Sequence, residues 1–270
     1  MRVNRPLAFT VVLAAAALQV FPLLWMVTTA FKTEREVFGS LSLWPTAPTL
    51  ENFRYVWTRV PMLRYVVNSL AVAAVVVAGQ LLSSILAAYA FARLRPPGRE
   101  AIFLLTVGTM LVPFQITMIP NFLLVSRLGW IDTIPGLAVP HLASAFGIFL
   151  LRQHFLAFPA SLEEAAALEG ASRWQILWRV VVPVNRGALG ALAILFFIQN
   201  WNEYFWPLLV ARDRATTLPL GLARFVSAEG GTLFGPLMAA ATMATVPAMA
   251  LFLAAQREIV GTYTMSGLKG

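Results

Sequence analysis

The sequence predicts an all-α integral membrane protein that crosses the bilayer six times as one domain over residues 1–270. Three observations predict it. The chain is 59 % apolar and only 12 % charged, about half the charged fraction a soluble domain of this size carries. Its mean hydropathy is +0.75. Its apolar residues fall into six runs near the length of about 20 residues that a helix needs to cross a hydrocarbon core of roughly 30 Å.

The predicted spans are about 7–31, 66–92, 101–124, 134–151, 188–209 and 235–255. The first follows Arg2 and Arg5 and has the alanine-rich look of a secretory signal, but its run exceeds the usual h-region, so it reads as a retained span. The fourth is short and contains Pro140 and His141. Lys and Arg are nearly balanced between the two sides, so the shortest loop decides orientation. In ARLRPPGRE, Arg93, Arg95 and Arg99 crowd one tight turn between spans two and three. Short basic loops are retained in the cytoplasm, which places both termini there. A formal charge of +8 raises the prospect of nucleic acid, but the arginines form no stripe, and loops at an anionic membrane surface account for it.

Several functions are excluded by what is missing. There is no cysteine, hence no thiolate metal site or cysteine nucleophile. The two lysines, Lys32 and Lys269, end no phosphate-binding GxxxxGK loop. His141 and His154 are isolated, and no serine sits in a nucleophile elbow. The chain reads as no enzyme, with no cofactor of its own.

Between spans four and five lies SLEEAAALEGASRWQILWRVVVP, residues 161–183, too charged for lipid and too regular for a slack loop. Ser161 with Glu164, and Ser172 with Gln175, have capping-box spacing. Gly170 is placed to close the first helix, and Trp174, Leu177, Trp178 and Val181 form an apolar stripe on the second before Pro183 ends it. Small alanines suit insertion into a groove on a partner. A connector packed on its own bundle fits the same physics.

EAAALEGASRWQILWRVVVP resembles the EAA loop of ABC-importer permeases: Glu164, Ala165, Ala166, Gly170, Ala171 and Pro183 match in register. Glu169 stands where aspartate is usual, and Gly187 where a second proline is frequent. AFKTEREVFG with TLENFRYVW, NSLAVAAV, AAYAFARLRPPGRE and LVPFQITMIP resemble successive blocks of the carbohydrate-uptake permeases. QREIVGTYTMSGLKG is similar to the tail of the six-span, maltose-type inner subunit. The resemblance implies a coupling helix in a cytoplasmic loop over 159–186, with Glu163, Glu164, Ala165, Ala166, Glu169, Gly170 and Ala171 meeting an ATPase. It also implies the partners: a second permease subunit in a heterodimer, an ATPase dimer using ATP and Mg, an extracytoplasmic solute-binding protein, a sugar and membrane lipid. The implied location is a bacterial or archaeal cytoplasmic membrane.

For the substrate pathway the residues to watch are Asn200, Trp201, Asn202, Glu203 and Tyr204 in QNWNEYFWPLL, with Gln115 beside Pro113 and Pro120 in span three. An intramembrane carboxylate is costly and marks function by default, and amides with rings suit sugar hydroxyls and C–H faces. The same residues fit an outer aromatic belt with Glu203 snorkelling to water. Asn68, Gln80, Ser83 and Ser84 in span two are further candidates. In the first outer loop Arg54, Arg59 and Arg64 either meet acidic groups of a binding protein or form a solvated rim. No arginine lies deep in a span, which favours a neutral sugar over glycerol phosphate or another polyol phosphate. An ion-driven secondary transporter would want an internal repeat and paired broken helices, and no repeat is visible.

Overall fold

The computed structural model describes residues 5–94, 97–227 and 231–266. They are helical almost throughout. In order come α1 (Arg5–Ala30), α2 (Glu34–Gly39), α3 (Glu51–Arg59), α4 (Met62–Arg93), α5 (Arg99–Gly108), α6 (Phe114–Arg127), α7 (Ile134–Ala138), α8 (Ala145–Ala157), α9 (Ala160–Leu168), α10 (Arg173–Ile176), α11 (Val182–Val184), α12 (Arg186–Trp201), α13 (Phe205–Val210), α14 (Leu218–Ala223) and α15 (Phe234–Ser266). Two-residue strands Val226–Ser227 and Gly231–Thr232 pair antiparallel ahead of α15. Arg2 ahead of the first span, Arg95 of the orientation argument, and residues 267–270 of the tail lie outside the described residues.

Each predicted apolar run contains helix; among the described residues α1 and α4 have the length and apolarity of a single unbroken span, and α15 runs 33 residues as one helix. Two of the runs are bent pairs, and a third bend precedes another run. The run at 101–124 turns by 97° between Leu111 and Phe114, the run at 134–151 by 47° between His141 and Ala145, and the 78° bend before the fifth lies at Asn185. The first has a local cause. Val112 precedes Pro113 and is extended (φ −83°, ψ 113°), because the proline ring disfavours the helical region for the residue before it. The fifth run also stops at Trp201 and resumes at Phe205, so it is not one continuous helix over 188–209. The sixth continues past its predicted end to Ser266.

The chain forms two compact units, Met1–Val66 with Leu218–Pro247, and Val67–Thr217 with Ala248–Gly270. In the first, the apolar side chains of α1 from Phe9 to Leu24 are exposed, as residues facing lipid are. At its end Lys32 is 2 % exposed. Its Nζ donates to the Ser42 carbonyl at 2.5 Å and sits 4.6 Å from the Trp25 ring centroid. Asn52 Nδ2 donates to the carbonyls of Ala30 at 2.9 Å and Lys32 at 2.8 Å. A buried ammonium is tolerated where an acceptor and a π face replace water, and the Asn52 amide ties the end of α1 to α3.

The second unit is built on one apolar cluster: Ile85, Ala88, Tyr89 and Ala92 of α4, Leu151 and Phe155 of α8, Ile176, Leu177 and Val181, and Leu192 and Phe196 of α12. Gly147 lets α8 come close: a Cβ there would stand 2.4 Å from Ser84 Oγ and 2.7 Å from Phe196 Cζ. Asn68 and Ser83, candidates for a pathway, instead bind backbone. Asn68 Nδ2 donates to the carbonyls of Arg214 and Thr216, and Ser83 Oγ to that of Leu142.

Asp132 holds two loops of this unit together. Its backbone sits at φ 58°, and its carboxylate accepts the N–H groups of Arg212 (2.8 Å), Asp213 (3.3 Å), Arg214 (3.0 Å) and Ala215 (2.9 Å). Burial raises its pKa, but the four amide donors outweigh that and hold it below the ordinary aspartate value. A carboxylate with a lowered native pKa stabilises the fold at pH values above its unfolded pKa, and that contribution fades as pH falls through the native value. Asp132→Asn should therefore cost about 1–3 kcal/mol at pH 7, with the gap from wild type closing only below about pH 4. Thermal melts from pH 7 to 3 check it, and an equal gap at every pH would contradict it.

Candidate functional site

The segment between α8 and α12 is built as a corner. Pro159 (φ −60°) precedes α9, which opens at Ala160. The helix thus starts two residues earlier than the Ser161–Glu164 spacing predicts, and no side chain caps it; that capping box is not formed. At the other end Gly170 lies at φ 86°, where only glycine is at ease. Gly170 N–H bonds the Ala167 carbonyl and Ala171 N–H that of Ala166, both at 3.0 Å, the 5→2 and 6→1 pair of a Schellman turn. The second capping box is formed: Ser172 Oγ accepts from Gln175 N–H at 3.3 Å and Gln175 Oε1 from Ser172 N–H at 2.8 Å. The helix then widens over Leu177–Val181, where Val182 N–H reaches the Leu177 carbonyl five residues back. Such a turn makes room for Pro183, whose ring would otherwise press on a carbonyl four residues earlier. Ile176, Leu177 and Val181 are buried, while Trp174, expected on the apolar stripe, is 61 % exposed and meets Trp178 edge-on at 5.8 Å.

An ion pair seats the corner. Glu163 Oε1 lies 2.5 Å from Arg93 Nε, Arg93 Nη2 donates to the Phe158 carbonyl at 2.8 Å, and Tyr89 OH donates to Glu163 Oε2 at 3.5 Å. Arg93 is thus a structural anchor besides its part in the orientation argument. Ala166 and Ala171 pack against the unit's own core. What faces outward is Glu164, Ala165, Ala167, Leu168, Glu169 and Gly170, with Leu168 91 % exposed.

The pathway candidates are placed differently. Asn200 Nδ2 and Asn202 Nδ2 donate to their own helix, to the carbonyls of Phe196 and Ile198, each at 2.8 Å. Trp201 is buried and stacked on Phe197 at 5.5 Å. Glu203 Oε1 accepts the Trp206 N–H at 3.1 Å, which caps the start of α13. Tyr204 stands edge-on to Phe205, and Gln115 is exposed in the first turn of α6. In the sequence His141 stands apart from any other candidate metal ligand and from its ring neighbours. In the fold it joins Phe114 (5.1 Å) and Trp206 (5.8 Å), with Nε2 buried and without a partner, and Trp206 Nε1 donates to the Gly136 carbonyl at 3.2 Å. Breaks in three predicted spans therefore meet at one ring cluster. The signal was present: Pro113–Phe114, Pro140–His141 and Trp206–Pro207 each pair a proline with a ring. Among the described residues no three His, Asp or Glu side chains could hold a metal ion.

Residues 79–260 match the family described as binding-protein-dependent transport system inner membrane component. The chain belongs to that family. The permease is 35 % identical over 253 residues to the lactose transport system permease protein LacG of Rhizobium radiobacter, covering 93 % of this chain and 92 % of that one. It is 32 % identical to the arabinooligosaccharides permease AraQ of Halalkalibacterium halodurans, over 94 % and 93 % of the two chains. It is 31 % identical to the sn-glycerol-3-phosphate permease UgpE of Escherichia coli, over 95 % and 96 %. Its fold is that of a chain in a bacterial ABC transporter that imports the acidic polysaccharide alginate, with a TM-score of 0.82 at 24 % identity, over 95 % and 98 % of the two chains. The relatives are transport permeases, not enzymes.

Proposed function

We propose that this permease forms half of the translocation pathway of a carbohydrate importer in a bacterial or archaeal cytoplasmic membrane, with both termini in the cytoplasm. In this reading it pairs with a second permease subunit and takes cargo from a solute-binding protein on the outer side. The outward corner from Glu164 to Gly170 seats in a cytoplasmic ATPase dimer that consumes ATP and Mg. The observation that carries the reading is the anchored corner: Glu163 is bound inward to Arg93 while Leu168 and its neighbours stand free of the fold. A merely packed connector would bury its apolar side chains. Relatives for lactose and arabinooligosaccharides support a sugar or oligosaccharide as cargo.

Within the pathway, Asn202 and Glu203 remain the proposed substrate contacts. The Asn202 amide gives an N–H to its own helix and Glu203 Oε1 accepts the Trp206 N–H, which leaves the amide oxygen and Glu203 Oε2 to receive sugar hydroxyls. The test is reconstitution with the co-purifying ATPase and binding protein. Glu164→Ala and Gly170→Pro should abolish cargo-stimulated hydrolysis while basal hydrolysis persists, and Asn202→Ala should slow uptake several-fold without loss of assembly. Uptake that continues without any ATPase would replace this reading by ion-driven transport. Unchanged kinetics in Asn202→Ala would remove that residue from the pathway.

A further inference from the structure

The unit formed by residues 1–66 and 218–247 contains a cavity of about 410 Å³ lined by Tyr55, Arg59, Arg64, Tyr65, Arg224 and Phe225, among others. We propose that it is an oxyanion-binding site, taking a carboxylate or phosphate group that reaches the permease from the outer side. The inference rests on the proposed topology, in which the segments between spans one and two and between spans five and six both face outward.

Three guanidinium-bearing side chains converge on one concavity here, drawn from the end of α3, the first turn of α4 and the residue after α14. Like charges gathered around one cavity repel, and a concave surface focuses their field on whatever enters. Arg59 and Arg64 are exposed and have no hydrogen-bond or ion-pair partner among the described residues. Arg224 is oriented: its Nη1 donates to Tyr65 OH at 3.2 Å, and its guanidinium carbon lies 6.0 Å from the Tyr65 ring centroid. Tyr65 is 3 % exposed and pressed against Gly221, where a Cβ would stand 2.2 Å from Tyr65 Cδ2. The site is thus built on packed elements. Guanidinium forks match carboxylate and phosphate oxygens in geometry as well as charge, and the start of α4 adds its positive helix end to the same wall. The volume lies in the range of small-ligand pockets. A solvated rim would spread its arginines over a convex surface.

The oxyanion has two possible sources, a free anionic sugar or an acidic side chain of the docked binding protein, and two arms of one experiment separate them. In the first, the full chain in phosphatidylcholine nanodiscs is titrated at low ionic strength with inorganic phosphate, glycerol 3-phosphate and galacturonate, with glycerol and galactose as neutral controls. In the second, the assembled transporter is titrated with its binding protein carrying a neutral sugar, reading ATPase stimulation. A free anion as ligand predicts saturable binding of the anions only, at least tenfold weaker in Arg59→Gln/Arg64→Gln and intermediate in Arg59→Lys/Arg64→Lys, with the second arm unchanged. An acidic side chain as ligand predicts that the double Gln variant needs at least tenfold more binding protein for half-maximal stimulation. The proposal is overturned if the double Gln variant matches wild type in both arms. The first arm needs no ATPase, so it reads the site even if the coupling assignment fails.

Discussion

Glu163→Ala should leave the permease in the membrane but separate ATP hydrolysis from transport, with cargo-stimulated hydrolysis falling by tenfold or more. The side chain holds α9 to the end of α4 through Arg93, at 18 % and 12 % side-chain exposure for the pair. Removing it strands a guanidinium in a largely dry site, where only the Phe158 carbonyl still receives it. Breaking a buried pair from one side costs 3–5 kcal/mol, and partial exposure brings that to about 2 kcal/mol here. The local loss matters more than the global one, because α9 keeps few other polar ties to the fold. Arg93→Met should produce the same uncoupling. A double-mutant cycle of the two should show coupling of about 1 kcal/mol or more. A Glu163→Ala permease with wild-type coupling, or two strictly additive substitutions, would refute the anchor.

Gly136→Ala is the second large effect, and it acts on folding. A Cβ at this position would stand 2.1 Å from the Trp130 carbonyl oxygen and 3.2 Å from Val125 Cγ1. The first of these is backbone in a tight turn, closed by Trp130 N–H to the Val125 carbonyl at 3.0 Å and by Thr133 Oγ1 to the Trp130 carbonyl at 2.7 Å. It cannot step aside, so α7 must move. That movement takes with it the Gly136 carbonyl that Trp206 Nε1 binds, and with it the packing of His141 and Phe114. Overpacking of this kind costs about 3 kcal/mol. The expected result is a marked loss of purified protein and a lower melting temperature in detergent. A melt within about 1 °C of wild type would show that the turn is looser than its contacts imply.

The six apolar runs were legible because burial in lipid is read one residue at a time, and composition reports it. The bends were not. Pro113 and Pro140 announce that a helix is interrupted, but whether the chain turns by 97° or 47° depends on what packs on the far side. The two capping boxes make the same point with identical spacing. Ser172 and Gln175 form theirs. Ser161 and Glu164 do not, because the helix begins at Ala160, directly after Pro159. Arg93 was legible as one charge of a short basic loop. Its bond to Glu163, seventy residues away, depends on how the helices come together. In the pathway segment the residue types were visible, but their use was not: the amides of Asn200 and Asn202 and one oxygen of Glu203 serve their own backbone, a competition that local sequence does not decide.

The pair of long routes leaving the corner differ in stiffness. Toward α12, the chain passes a 78° turn at Asn185, a joint that swallows displacement. Toward α4, the guanidinium of Arg93 grips the end of 32 residues without interruption, about 48 Å of rod. In the proposed coupling, a tug on the corner travels along α4 as a lever arm and is absorbed at Asn185 as a hinge, which would make the span that the corner leans on, not the one it is spliced to, the carrier of the stroke.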